Sequence, residues 1–397
     1  MAVSVREYRE EDREQFELIW TAAFHGGEAY PSERPVPGSS EAVYVAEQDG
    51  RVAGTFTVRP SEVTCRKATL SCGGIASVAV SADSRKHGVG RVMMTALAEI
   101  MRNDGLIVGN LRASHESFYR RFGWESCGRE VRITCPVRLV PQFECTLPVR
   151  QMRMTDFKFV NEDNRLLLQE EWAPLKTAYD KFARAYSGML IRESMRWGRL
   201  RMTKGSLPYV FVAGDPVEAY AVLRISSTRD QDVIEFAWST LEGYQSLLVT
   251  LAGVAINHAT LSWTEPSNGP FLSTWFTQGI EAELRKPSMF QVLNVPRSLS
   301  LLKPVGSGSF TLEVDDKILP ANRGPWRVSY TPESVEVEPS GTADVKMTIQ
   351  QYAQVLMGEP SFSDLLSYGL VSCSSDRASQ AVNGLLEPQV TYSLEIF

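Results

Sequence analysis

The stretch SVAVSADSRKHGVGRVMM, residues 77–94, decides how the N-terminal part of the chain folds. Its first apolar residues, Val78–Val80, predict the end of a strand, whereas the apolar residues from Val89 onward recur at helical spacing. Two glycines, Gly88 and Gly90, lie at the junction between them. Glycine lets backbone amides come close to an anion, and a helix N-terminus carries the partial positive charge that favours a diphosphate. The stretch therefore predicts a phosphate-binding turn between a strand and a helix.

Three phosphate-binding motifs can be compared with this turn. A Walker A loop needs a lysine and a hydroxyl residue after its second glycine, and both are absent here. A dinucleotide-binding fingerprint needs a third small residue, which Met93 replaces, and it opens the first strand–helix unit of a fold, which this unit is not. The pattern R-x-x-G-x-G fits, with Arg85, Gly88 and Gly90 at its fixed positions and two further basic side chains nearby. A plain helix start with a solvated basic turn is the alternative.

The sequence around the turn predicts the element order β-α-β-β-β-α-β-α, a mixed α/β fold. Residues 10–24 have helical spacing, and Asp49 and Gly50 separate two strand-like runs. Both of these turn residues tolerate positive φ, which is typical of a two-residue hairpin. The segment SHESFYRRFGWE, residues 114–125, predicts a short helix with Ser114 as its N-cap.

Composition limits the classes of function. The chain has 397 residues, enough for two to four domains, with 43% hydrophobic and 22% charged residues. Its net charge of −6 disfavours nucleic acid as a partner. Six cysteines and four histidines are scattered, so we expect neither a metal site nor a disulfide framework. The longest apolar run, residues 247–256, is too short to span a membrane, and the charged N-terminus does not resemble a signal peptide. We therefore expect a cytoplasmic protein.

The pattern partly recurs after residue 136. A helix-rich segment, a hairpin at Gly214 and Asp215, a strand and a helix follow in a similar order. The strand–helix junction of this second unit has one glycine and no positive charge, so we expect no anion site there. From residue 297 short alternating strands and an amphipathic helix replace this pattern. The predicted domains are residues 1–135, 136–296 and 297–397.

The N-terminal third resembles the GCN5-related N-acetyltransferase (GNAT) superfamily, which has this element order and binds the pyrophosphate of acetyl-CoA at an R/Q-x-x-G-x-G/A turn. The resemblance implies a mixed, mostly antiparallel sheet in which the strand ending at Val80 separates from its neighbour at a bulge and pairs with the pantetheine arm. It also implies that Tyr119, in SFYRRFGWE, is the general acid for the leaving thiolate. A tyrosine packed on a helix face is the alternative. The residues expected to bind the coenzyme are Val78, Ala79, Val80, Arg85, Lys86, His87, Gly88, Val89, Gly90, Arg91, Ser114 and His115.

Over its whole length the chain resembles the Eis (enhanced intracellular survival) proteins, which combine two GNAT folds with a sterol-carrier-protein-like domain. These proteins acetylate amines, including those of aminoglycosides, form hexamers and use their C-terminal carboxylate as a base. The equivalent group here is the carboxylate of Phe397, and the alternating ending TYSLEIF predicts a terminal strand that delivers it. A terminus that only closes the last sheet is the alternative. The residues expected near the acceptor are Phe24, His25, Glu28, Tyr30, Glu33 and Glu395.

We therefore expect an acetyl-CoA-dependent N-acetyltransferase that acts by direct transfer on a cationic small amine, such as an aminoglycoside or a polyamine, and antibiotic resistance is one consequence of that activity. The paired glycines resemble the general GNAT turn more than the Eis turn, so the acceptor stays open. Alternatives are a protein or peptide lysine, a biosynthetic amine, or a lipid-binding protein on a GNAT scaffold. N-myristoyltransferases share two GNAT-like halves but lack this turn. His115 or Glu116 is an alternative base. We expect no membrane partner, and the resemblance implies a hexamer.

Overall fold

A computed structural model describes residues 3–24, 41–152, 162–192, 197, 209–224, 229–286 and 288–395 of the chain. These residues form two seven-stranded sheets and one five-stranded sheet, with helices packed against them. The chain divides into two compact units, each described by itself below. The first consists of Met1–Cys127, Pro287–Gln389 and Glu395–Phe397, and the second of Gly128–Lys286 and Val390–Leu394.

The first unit contains the sheet that the opening stretch predicts. Its strands, in spatial order, are β1 (Val3–Glu7), β2 (Ala42–Gln48), β3 (Arg51–Cys65), β4 (Ala68–Val80), β5 (Val108–Arg112), β14 (Ser288–Val292) and β6 (Glu125–Ser126). Helices α1 (Arg13–Phe24), α2 (Val89–Asn103) and α3 (Glu116–Arg120) complete the predicted order. Asp49 and Gly50 join β2 to β3 with φ values of 53° and 78°, which confirms the predicted hairpin.

Helix α2 packs its apolar face against this sheet. Met93, Leu97 and Met101 are fully buried in the core, at the helical spacing visible in the sequence. A Cβ atom at Gly109 of β5 would lie 2.6 Å from the Trp124 ring and 3.1 Å from the Met101 side chain. Glycine at this position therefore allows α2 and the Trp124 ring to lie close to β5.

The second unit contains the other seven-stranded sheet. Its strands, in spatial order, are β13 (Glu281–Arg285), β7 (Glu130–Pro136), β12 (Thr260–Pro266), β11 (Asp230–Trp238), β10 (Ala219–Arg224), β9 (Tyr209–Ala213) and β8 (Val149–Met152). Its helices are α4 (Glu162–Arg184), α5 (Leu241–Val254) and α6 (Pro270–Thr274). Sheet membership crosses the predicted boundaries, because β7 joins this sheet before residue 136 whereas β14 joins the first sheet before residue 297. Periodicity identifies a strand but not the sheet it pairs with, so the three-domain division stays a prediction.

The C-terminal part of the first unit forms the five-stranded sheet. Its strands, in spatial order, are β17 (Val335–Pro339), β16 (Trp326–Tyr330), β15 (Gly308–Asp315), β18 (Val345–Thr348) and β19 (Ser372–Cys373). Its helices are α7 (Val295–Ser300), α8 (Ile349–Met357), α9 (Phe362–Ser367) and α10 (Asp376–Leu385). The buried guanidinium of Arg66, in the β3–β4 turn, donates to the backbone carbonyls of Val355, Leu356 and Glu387. These bonds attach the N-terminal sheet to the C-terminal domain.

The predicted terminal strand is wrong for the residues that the structure describes. Thr391 forms a single bridge with Ser187, and residues 392–395 are not in a strand. Residues 391–393 and Glu395 are all buried, so the segment has no solvent-facing side. An alternating sequence forms a strand only where a neighbouring strand supplies a ladder of partners, and Ser187 supplies one residue. Ile396 and Phe397 lie outside the described residues.

No helix in the described ranges has both the length and the apolar character needed to cross a membrane.

Candidate active site

Strands β4 and β5 separate at the centre of the N-terminal sheet. They pair in parallel only from Cys72 to Gly74, opposite residues 108–110, whereas β4 continues to Val80. The register between β3 and β4 shifts just after Thr55, and Ser77 has a left-handed φ of 54°. This is a β-bulge, held by a 3.0 Å hydrogen bond from the Thr55 hydroxyl to the Ser77 carbonyl. The edge of β4 beyond the bulge therefore offers backbone groups to an extended ligand, as the resemblance implied.

The turn after β4 leads to an open helix N-terminus. Gly88 is the N-cap of α2, with a φ of 86° and no side chain to accept the first amides. A Cβ atom at Gly88 would meet nothing within 4 Å, so the space beside the N-cap is open, and the first amides of a helix have no partner within the helix. Arg85 is held back over the turn, where its Nε donates to the Val80 carbonyl at 3.3 Å. The first amides of α2, the dipole of this helix and the positive charge of the turn together favour the binding of an anion.

Gly90 brings α3 against this helix end. A Cβ atom on Gly90 would lie 3.2 Å from the Phe118 ring, closer than an ordinary van der Waals contact. The aromatic side chain before Tyr119 therefore packs directly on the glycine turn. Gly90, the second glycine of the motif, therefore allows close packing against Phe118 as well as close approach of the backbone to an anion.

A cavity of about 880 Å³ lies in front of the turn. Five of its lining residues carry positive charge, none carries negative charge, and among the described residues none of the five forms an ion pair. The cavity is therefore suited to a ligand with several negative charges. The lining residues are Val80, Ser84, Arg85, Lys86, Gly88, Gly90, Arg91, Thr95, Phe118, Arg121, Phe122, Lys317 and Ile318.

Tyr119 lies on α3 and is 8% exposed. Its ring contacts the rings of Phe118 and Trp124, with centroids 5.1 and 6.4 Å away. Burial raises the pKa of Tyr119, so the phenol keeps its proton at neutral pH. In the described part of the chain its hydroxyl has no hydrogen-bond partner, which leaves the proton available to a ligand. Tyr119 is not itself a lining residue of the cavity, whereas Phe118 and Phe122 beside it are.

The other predicted coenzyme residues occupy different environments. Ser114 and His115 are exposed before α3 and are joined by a 3.2 Å hydrogen bond. The predicted N-cap is wrong, because His115 rather than Ser114 is the last non-helical residue before α3. His87 is exposed but does not line the cavity, and the Val89 side chain is buried in the core. Val78 and Ala79 also do not line the cavity with their side chains, so their predicted role rests on the β4 backbone.

Few of the predicted acceptor residues are described. Phe24 is half exposed at the end of α1. Glu395 is 6% exposed, and its carbonyl accepts a 2.8 Å hydrogen bond from Arg112 of β5. The remaining predicted residues, His25, Glu28, Tyr30, Glu33 and Phe397, lie outside the described residues. Within the described ranges no group of three or more histidines, cysteines or acidic residues could hold a metal.

Sequence reasoning missed seven residues that line the cavity, namely Ser84, Thr95, Phe118, Arg121, Phe122, Lys317 and Ile318. Phe118 and Arg121 flank Tyr119, so the same motif could have identified them. Lys317 and Ile318 follow β15 in the C-terminal domain, nearly 200 residues later, and no local pattern indicates their position.

The second unit shows how the same junction looks without an anion site. Strands β11 and β12 also pair in parallel only briefly, over Asp230–Asp232. The N-terminus of α5, however, is capped by the Thr240 side chain, which accepts from the Gly243 amide at 3.1 Å. The Thr240 hydroxyl in turn donates to the Glu218 carboxylate at 2.7 Å. A carboxylate of the chain itself therefore lies at this helix end, where no basic turn is present.

Comparisons with known proteins agree with this geometry. Residues 4–127 match the family model of the acetyltransferase (GNAT) domain, and residues 295–392 match that of the sterol carrier protein domain. A search of curated proteins gave no significant match. The matches confirm the predicted fold class, with an N-terminal GNAT domain and a C-terminal sterol-carrier-like domain, and the prediction of an acyltransferase.

Solved structures resemble the chain over its whole length. A GCN5-related N-acetyltransferase from Anabaena variabilis is 17% identical, with 100% of both chains covered and a TM-score of 0.85. A protein from Enterococcus faecalis described as a probable N-acyltransferase is 15% identical, with the same coverage and a TM-score of 0.84. Eis1 from Mycobacterium abscessus is 18% identical, again with full coverage of both chains, and has a TM-score of 0.79. At these identities the likeness shows a shared fold, and Eis1 is one of several similar structures.

Proposed function

We propose that this GNAT-type acyltransferase transfers the acetyl group of acetyl-CoA directly to a primary amine of a cationic small molecule. The observation that carries the proposal is the continuity of three features along one segment. The free edge of β4, the left-handed glycine turn and the open N-terminus of α2 follow one another from Ser77 to Gly90. Acetyl-CoA has matching parts in the same order, because its extended pantetheine arm is followed by its diphosphate. The arm would lie along the β4 edge and the diphosphate at the turn and the helix N-terminus.

The described residues fit acetyl-CoA. The amides of Val89 and Gly90 and the positive charge of Arg85, Lys86 and Arg91 would hold the diphosphate. The backbone of β4 beyond the bulge would pair with the amides of the pantetheine arm. An N–H on this edge, within Val78–Val80, would donate to the thioester carbonyl and stabilise the negative charge that develops there.

Tyr119 would supply the proton for the leaving group. The amine nitrogen attacks the thioester carbon, the C–N bond forms, and the C–S bond breaks to release CoA thiolate. The thiolate takes the phenol proton as the C–S bond breaks, and the proton that the attacking nitrogen loses returns to the phenolate. The ordinary pKa values of a thiol and a phenol, about 8.5 and 10, are close enough for this transfer. Burial raises the pKa of Tyr119, so the phenol is protonated when the thiolate forms.

The C-terminal carboxylate of Phe397 would orient the acceptor. A carboxylate with a pKa near 3.5 cannot take a proton in one step from an ammonium with a pKa near 10. We propose that it holds the ammonium, while desolvation in the cleft lowers the pKa of the amine and water relays the proton. Support comes from Arg112 of β5, two residues past the last β4–β5 pair, which binds the carbonyl of Glu395.

Charge supports the proposed class of acceptor. The chain has a net charge of −6, which attracts a cation over distance, and a terminal carboxylate at the acceptor site would favour an amine that carries positive charge. Aminoglycosides and polyamines have this character.

A thiol-release assay tests the proposal. The full chain and acetyl-CoA would be mixed with aminoglycosides, polyamines, lysine peptides and free amino acids, with a mixture lacking acceptor as control. We expect CoA release with at least one polycationic small amine. Release with lysine peptides alone would contradict the acceptor class. If no amine causes CoA release and acetyl-CoA does not raise the melting temperature, the proposed acetyl transfer is contradicted and the lipid-binding alternative is favoured.

A further inference from the structure

We infer that the C-terminal domain contributes a second anion subsite to the coenzyme cleft, in which Lys317 and Arg121 bind the 3′-phosphate of CoA. The inference rests on the proposed function, because it needs the coenzyme in this cavity. It goes further in making the sterol-carrier-like domain part of the coenzyme site.

Two cavities place this domain at the cleft. Lys317 and Ile318 line the 880 Å³ cavity together with the glycine turn of α2. A second cavity of about 330 Å³ shares Arg121, Lys317 and Ile318 with the first. These three residues therefore lie where the cleft continues from the N-terminal domain towards the C-terminal one.

The backbone of Lys317 is held firmly. The buried Asp316 carboxylate accepts from the amides of Ile318 and Leu319 at 2.8 and 2.9 Å. Leu319 is 4% exposed and belongs to the same core as α2. Asn322 donates to Asp316 at 2.9 Å and accepts from Arg102, in the last turn of α2, at 3.1 Å. Hydrogen bonds and packing thus fix the turn that carries Lys317 to the helix whose other end forms the anion site.

The charge in the cleft exceeds what a diphosphate needs. Five cations line the large cavity, whereas a diphosphate diester carries two negative charges and a terminal phosphate monoester adds about 1.5 to 2 more. Arg85, Lys86 and Arg91 belong to the turn, which leaves Arg121 and Lys317 for the second phosphate.

The charged groups around the two cavities indicate that Arg121 and Lys317, rather than Arg120, bind the second phosphate. Arg120, which lines the smaller cavity, already pairs with Glu116 and Glu125 at 2.7 and 2.8 Å. Asp315 lies in the smaller cavity but does not line the larger one, so the phosphate is expected on the side of the larger cavity. The Arg121 guanidinium lies 5.3 Å from the centre of the Phe118 ring, which orients it.

Calorimetric titration with CoA and with 3′-dephospho-CoA tests the inference. We expect the full chain to bind CoA about 10-fold more tightly, which corresponds to about 1.4 kcal/mol. Lys317→Gln and Arg121→Gln should each lower this ratio about 3-fold while leaving the Kd for 3′-dephospho-CoA unchanged. Lys303→Gln is the matched control, because Lys303 is exposed in the same domain and lines neither cavity. It should keep the ratio of the unmodified chain.

The titration results distinguish failure of the second anion subsite from failure of the proposed function. If the unmodified chain binds both ligands equally, or if Lys317→Gln keeps the ratio, the second subsite is contradicted while coenzyme binding stands. If neither ligand binds the unmodified chain, both the subsite and the proposed function are contradicted. Melting temperatures without ligand show whether each variant is folded.

Discussion

Tyr119 is the residue on which the proposed chemistry depends most. Tyr119→Phe removes only the hydroxyl and keeps the ring contacts with Phe118 and Trp124. Because general acids contribute about 10² to 10⁴ in rate, we expect kcat to fall at least about 100-fold with the Kd for acetyl-CoA unchanged. Steady-state kinetics and calorimetry measure the two quantities. A variant that keeps kcat within twofold would show that another group protonates the thiolate.

A second prediction at the residue scale is that Glu265 makes the stability of the fold depend on pH. This buried carboxyl group of β12 accepts from Tyr244 and Trp263, yet burial raises its pKa to about 7. Since this folded pKa lies above the unfolded value of about 4.5, the folded form binds more protons between the two values. Stability should therefore fall by about 3 kcal/mol as pH rises from about 4.5 to above 7.

The control for Glu265 is Glu265→Gln, which does not titrate. Denaturant unfolding from pH 4.5 to 8 should give a smaller decline for this variant than for the unmodified chain. Equal declines in both would mean that other groups cause the pH dependence.

The positions of candidate site residues could be predicted where one local motif contains them. Arg85, Gly88, Gly90 and Tyr119 stand in short patterns with a physical reason for each residue type. Lys317 could not be predicted, because its position at the cleft depends on a tertiary contact between distant segments.

At the scale of elements, the proposed coenzyme site depends most on the N-terminus of α2. Gly90→Ala places a methyl group 3.2 Å from the Phe118 ring, so the ring must move by a few tenths of an ångström. We expect a stability loss of about 1 kcal/mol and weaker acetyl-CoA binding, about 3- to 10-fold in Kd. Gly253→Ala, in an open helical position, is the matched control and should leave the Kd unchanged. Unchanged binding in Gly90→Ala would mean that the coenzyme does not use this helix end.

The elements themselves were largely predictable, and their pairing was not. Apolar alternation and the Asp49–Gly50 turn indicated the strands of the first sheet, because each depends on neighbours in sequence. The sheet that β7 or β14 joins depends on which neighbouring strands are free to pair with it, and the local sequence does not specify these partners. The last residues alternate but find no partner strand within the described chain, so their pattern predicted the wrong structure.

At the scale of the whole molecule, the proposed mechanism uses residues from both ends of the chain. The first unit contains the N-terminal sheet, the sterol-carrier-like domain and the last residues from Glu395. One glycine added after Phe397 moves the terminal carboxylate by about 3.5 Å, and we expect kcat to fall about 10-fold or more. Phe397→Leu keeps the carboxylate in place and is the control. A glycine-extended chain with normal kcat would exclude the carboxylate from the mechanism.

The start of the C-terminal domain was visible in the sequence, because short alternating strands replace the earlier pattern near residue 297 and the sterol carrier protein match begins at residue 295. The way in which the C-terminal domain completes the cleft was not visible, since it depends on the buried contacts of Arg66, Leu319 and Asn322 with distant segments.

The most direct test of the central claim is a crystal structure of the chain with CoA. We expect the diphosphate within about 3 Å of the amides of Val89 and Gly90, the pantetheine arm along β4, and the sulfur beside the Tyr119 hydroxyl. A structure in which CoA lies elsewhere, or in which side chains fill the cleft in front of Gly88, would contradict that claim.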